Sequence, residues 1–127
     1  LKEHESAFIH EGTKAARHVR WMVEAKTPAA KSALSAHPWG EELRHAAHLG
    51  WIGGALSPHR TDWKVLHKLG LKRAYIVADN DAPGHAAVPK VARELRSFPI
   101  AVFSVRFDDR FPLGFDLADP LPIGMFR

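Results

Sequence analysis

The 127-residue sequence contains no cysteine. Disulfide staples and zinc–thiolate centres are therefore excluded within it. It has no apolar run long enough to cross a bilayer. The charged start, Leu1-Lys2-Glu3-His4-Glu5, lacks the apolar stretch of a secretory leader. A cytoplasmic setting is the default expectation. Tyrosine occurs once and methionine twice. Neither charge sign dominates: the formal net charge of +4 permits a polyanion partner without demanding one. What remains is ordinary for one globular domain, with 46% hydrophobic and 25% charged residues. The first residue is Leu, and the reading favours one module of a longer protein.

Ala7-Phe8-Ile9-His10 reads as a short buried strand running into Glu11-Gly12. Thr13 is placed as the cap of a helix to about Ala25, with Ala15, Ala16, Val19, Met22 and Val23 inward. Lys14, Arg17 and Arg20 recur on another face, as a stripe that could follow a nucleic-acid backbone or simply face solvent. Residues 27–40 carry Pro28, Pro38 and Gly40 and read as a loop or insertion. A short helix is expected from Glu41 to Leu49, closed by Gly50, then a glycine-rich strand from Trp51 to Leu56. Thr61 or Asp62 can cap a helix carrying Trp63, Val65, Leu66 and Leu69. The strongest strand, Ala74 to Ala78, ends in Asp79-Asn80-Asp81. A helix follows to about Arg96, with Pro89 implying a kink or a start later than Gly84. Residues 100–105 form the last strand. Strands alternating with helices imply a parallel sheet with helices on its faces.

Asp79 and Asp81 stand two apart, so in extended backbone they point the same way. Two converging carboxylates repel unless a cation sits between them, and hard oxygen ligands suit Mg²⁺ or Mn²⁺. The competing reading is a solvated turn, because Asp, Asn, Pro and Gly are turn formers. An EF-hand fails, since Pro83 and Lys90 would fall on ligand positions. A phosphoacceptor receiver fails for want of a lysine in or just after the late strand. Glu11 suits a general acid or base, a further ligand, or a carboxylate complementing the helix dipole. Asp116 and Asp119, downstream of the last strand, are candidates to complete the acidic cluster. His45 and His48 have helical spacing but lack a third ligand for zinc. His59 and Arg60 fall where such a site would open and are candidate phosphate contacts. Trp21, Trp39, Trp51 and Trp63 could stack on bases, although Trp63 has core spacing.

In this order, strand-Glu11-Gly12-helix, Gly-rich strand, strand-Asp79-Asn80-Asp81-Ala82-Pro83-Gly84-helix and a late Asp116 segment resemble the TOPRIM domain. That domain is shared by primases, type IA and type II topoisomerases, RecR-type proteins and OLD-family nucleases. The resemblance spans about residues 7–119, with 27–50 as an insertion, and is nearest to phage and plasmid primases and primase-helicases. It implies a Rossmann-like parallel sheet of about four strands with helices on both faces. It also implies Glu11 as general acid or base, and Asp79, Asp81 and Asp116 as Mg²⁺ or Mn²⁺ ligands. Lys14, Arg17, Arg20 and Arg60 are then candidate contacts to nucleic acid. The implied activity is primase-like nucleotidyl transfer in DNA replication. The alternatives are an OLD-type nuclease or a non-catalytic nucleic-acid-binding module. A single-stranded DNA template, nucleoside triphosphates and neighbouring helicase or template-binding modules are the implied partners, with no membrane. The family lysine before the late aspartate is replaced here by Phe115.

Overall fold

A computed structural model describes residues 5–51, 62–68, 70–107 and 111–117. The elements run β1 (Ser6–Glu11), α1 (Thr13–Glu24), α2 (Pro28–Ala36), α3 (Gly40–Arg44), β2 (Ala47–Trp51), α4 (Lys64–Lys68), β3 (Arg73–Val77), α5 (Ala82–Arg96) and β4 (Ala101–Ser104). The four strands form one all-parallel sheet in the order β2-β1-β3-β4. This is the α/β arrangement expected from alternating strands and helices.

The two faces of β1 explain its near-continuous apolar character. Ala7 and Ile9 join Ala74 and Ile76 on one face, where Ala87, Val91 and Leu95 of α5 cover them. Phe8 lies on the other face with Val19 and Met22 of α1, Leu43 of α3 and the aromatic residues Phe111 and Phe115. A strand buried on both faces needs no polar alternation. Trp51 and Trp63 are both buried on the α5 side, which removes them as base-stacking platforms.

Three local readings are corrected. Residues 28–36 are helical rather than a loop: Thr27 caps the turn by accepting the Ala30 N–H at 3.2 Å, and Pro28 occupies the first turn. Proline is pre-organised there, so the residue taken as a breaker is a starter. Residues 41–49 divide into α3 and β2, and Gly50 lies inside β2 rather than closing a helix. A Cβ at Gly50 would collide with the Gly12 carbonyl oxygen, so glycine lets β2 approach the turn after β1. Gly12, at φ 78°, occupies the N-cap position of α1 with no side-chain cap, and Thr13 is the first helical residue.

α5 runs as one helix through Pro89 from Ala82. The donor that proline lacks would have served the carbonyl of His85. Both residues are exposed, so water can replace the lost bond. Residues 52–56 of the expected second strand, and Leu69, lie outside the described residues. Among the described residues no helix is long and apolar enough to cross a membrane.

Candidate functional site at the carboxyl edge of the sheet

The strand order reverses direction between β1 and β3. In open α/β sheets this switch point, outside the carboxyl ends of the strands, is where ligands bind. Glu11 is the last residue of β1, and Asp79 follows β3 by two residues. The Asp79 N–H donates to Glu11 Oε1 at 3.2 Å, joining the two strand ends across the switch point.

The adjoining turn is built by its own residues. Asp81 Oδ1 accepts the Gly84 N–H at 2.7 Å and caps α5. A Cβ on Gly84 would strike the Asp79 carbonyl oxygen and crowd Asp81 Oδ1, so this closure requires glycine. Asn80 performs a task that sequence reading missed. Its Nδ2 donates to the Phe111 and Pro112 carbonyls at 3.2 and 3.0 Å. Its backbone N–H donates to Phe115 O at 2.8 Å, and its carbonyl accepts the Gly114 N–H at 2.7 Å. Asn80 therefore pins the 111–117 segment against the end of β3. Phe115 is 1% exposed and packs with Phe107 and Phe111. This anchor brings the buried Asp116 beside the site.

The electrostatic consequence falls on Asp79. Burial, then the charges of Glu11 and Asp116, a side-chain hydrogen bond with Glu11, and finally Asp81 push its carboxyl up from 3.8 to about 7. Asp79 Oδ1 is buried without a hydrogen-bond partner. An orphaned buried oxygen among carboxylates suits a hard cation, and Mg²⁺ characteristically uses one or two carboxylates with water completing its shell. Among the described residues no three His, Asp or Glu side chains are already grouped as a metal cage. Any ion here would be sparsely held by protein, with Asp79 offering its free oxygen and Asp81 having committed one oxygen to its cap.

Lys14 and Arg17 are exposed on α1, and Arg20 is half-buried. Arg60, His59 and Asp119 lie outside the described residues. The zinc half-site dissolves, because His45 faces Glu41 at 3.5 Å whereas His48 is buried on β2. His48 Nε2 donates to Leu43 O at 2.8 Å, which leaves its Nδ1 to accept from His10 Nε2 at 3.2 Å. This buried relay, one residue from Glu11, gave no signal in the sequence, where His10 ended an apolar run. Burial, with His48 and Arg20 nearby, lowers His10 to about 3, so the His10 imidazole is a neutral partner of His48 in the core.

No family model, curated protein or solved structure matches the chain.

Proposed function

We propose that this chain is a TOPRIM domain whose acidic cluster carries out Mg²⁺- or Mn²⁺-dependent phosphodiester chemistry on nucleic acid, as the catalytic core of a primase-like nucleotidyltransferase. The observation that carries this reading is Asp79: a carboxyl pushed to about 7 by burial and by the neighbouring Glu11, Asp116 and Asp81, at the switch point of a parallel sheet. Carboxylates forced together at a ligand-binding edge are costly to a fold and are characteristic of functional sites. The order of Glu11, Asp79, Asp81 and Asp116 along the chain agrees with the family pattern.

Asp79 would hold the metal with help from Asp81 or Asp116. When bound, a divalent ion supplies neutralisation of the phosphate charge that builds during displacement. Asp81 fixes the turn and the first turn of α5, while Asn80 and Phe115 hold Asp116 in place. Glu11, whose carboxylate already accepts from the Asp79 backbone, is positioned to take or return the proton of the attacking or leaving oxygen.

The test supplies single-stranded template, Mg²⁺ or Mn²⁺ and all nucleoside triphosphates, with a parallel reaction lacking triphosphates. Elongated products formed only with triphosphates support nucleotidyl transfer, and template shortening without them assigns the cluster to a nuclease. Glu11→Gln should remove activity while leaving metal binding largely intact. Asp79→Asn should lose both. Wild-type synthesis and cleavage by Glu11→Gln in the parent protein would overturn the catalytic assignment in favour of a binding module.

A further inference from the structure

A groove runs from the acidic turn along α5. Its main part, about 580 Å³, lies between one stripe of α5 and the segment that follows β4. His85, Val88, Ala92 and Arg96 provide the helical side, at the spacing that puts residues on one face. Arg106 and Phe107 face them across the groove. A second hollow of about 410 Å³ shares His85 and Phe107 with the first and continues to Asn80 and Asp81. His85 Nε2 donates to Asn80 Oδ1 at 3.2 Å, tying the junction of the two hollows to the turn between the aspartates.

The chemistry of the walls is mixed in a specific way. The floor is apolar, from Ala78, Val88 and Ala92, and Phe107 is half-buried at the junction. Arg96 and Arg106 are exposed and form no salt bridge among the described residues, whereas the surface pairs that do form lie elsewhere. His85 and Arg96 stand about 16 Å apart along the helix axis at the α-helical rise of ~1.5 Å per residue. That length exceeds a single nucleotide, and it joins cations to an aromatic ring and apolar floor. Backbone-tracking cations combined with a stacking surface are the means by which proteins hold single strands.

We propose that this groove is the track for a single-stranded nucleic acid, with Arg96 and Arg106 on its phosphates and a base against Phe107, delivering the strand to the Asp79–Asp81 turn. The inference rests on the phosphodiester reading of that turn and replaces the α1 stripe, Lys14 and Arg17, as the principal contact surface. The α1 cations Lys14 and Arg17 are exposed, and neither lines these two hollows.

The test is fluorescence anisotropy of a labelled oligothymidylate with the full chain, in EDTA. Metal-free conditions separate this binding from the acidic site, whose own failure would appear as absence of metal-dependent stabilisation. The double variant Arg96→Gln/Arg106→Gln should bind at least fivefold more weakly. The slope of log affinity against log salt should fall by about 1.4, since each single-strand phosphate contact contributes ~0.7. Lys14→Gln/Arg17→Gln should stay within twofold of wild type. Amide NMR shifts of the unmodified chain should cluster at 85–96 and 104–107, a readout independent of any variant's folding. Unlabelled oligothymidylate should displace the probe, and dTTP at equal nucleotide concentration should not. Equal displacement by dTTP overturns the strand in favour of a free nucleotide. Loss confined to the α1 variant, or shifts confined to α1, overturns the groove.

Discussion

Replacing Asp79 by Asn tests the site through the stability of the metal-free fold. The Asp79 carboxyl is raised from 3.8 to about 7, so the native state holds a proton that the unfolded chain has released. Well below pH 3.8 both states are protonated and the group costs nothing. As pH rises from there towards 7, the unfolded state binds fewer protons than the native state, and stability falls. Above 7 the full cost is present. At about 1.4 kcal/mol per tenfold change in proton affinity the ceiling is ~4 kcal/mol. The carboxyl is partly open to water, and solvent screening reduces this to on the order of 1–2 kcal/mol. Asn cannot ionise and keeps the backbone N–H that Glu11 accepts. Asp79→Asn should therefore be more stable than wild type at pH 8 by that amount. A domain of this size gains roughly 4 °C in Tm per kcal/mol, so the increase should be several degrees. At pH 4 the difference should shrink to a fraction of its pH 8 value. Circular-dichroism melts of both proteins across pH 4–8 in EDTA make the measurement. A variant less stable than wild type at pH 8, or a difference that ignores pH, would refute the claim that burial and the neighbouring Glu11, Asp116 and Asp81 raise this carboxyl.

Added Mg²⁺ at tenfold its dissociation constant should stabilise wild type by ~1.4 kcal/mol through mass action, and Asp79→Asn should show no such rise in the same melts. His10 titrates in the opposite sense. Its native value, lowered from 6.5 to about 3, makes stability fall as pH drops from 6.5 towards 3, so His10→Leu should flatten the acid limb of a stability–pH curve measured by urea unfolding. Gly84→Ala should cost on the order of 2 kcal/mol or more in chemical denaturation, because its methyl group meets the Asp79 carbonyl oxygen. A Gly84→Ala protein with wild-type stability would mean that the turn can open without loss. Asn80→Ala should release the 111–117 segment, visible as faster amide exchange there, and lower the Asp79 titration seen by NMR as Asp116 moves away.

The all-parallel α/β class was legible in the sequence because both periodicities are local. Apolar runs at β1 and β3 and helical spacing in α1 and α5 depend on neighbours a few residues away. The positions of Glu11 and Asp79 at strand ends were legible for the same reason. Errors arose where one residue type serves two local roles. Pro28 begins a helix instead of breaking one, and Gly50 admits a close strand instead of closing a helix. Proximity across long sequence distance was not legible at all. Nothing near Asn80 signals that it holds residues 111–115, and nothing near His10 signals His48, because each pairing exists only after the strands have been ordered. The same holds for the α5 groove, whose second wall comes from residues 104–107. The sequence by itself determined which carboxylates stand at strand ends. Strand order and the anchoring of Phe115 decided that Glu11, Asp79, Asp81 and Asp116 share one electrostatic environment, since charges couple through space and not along the chain.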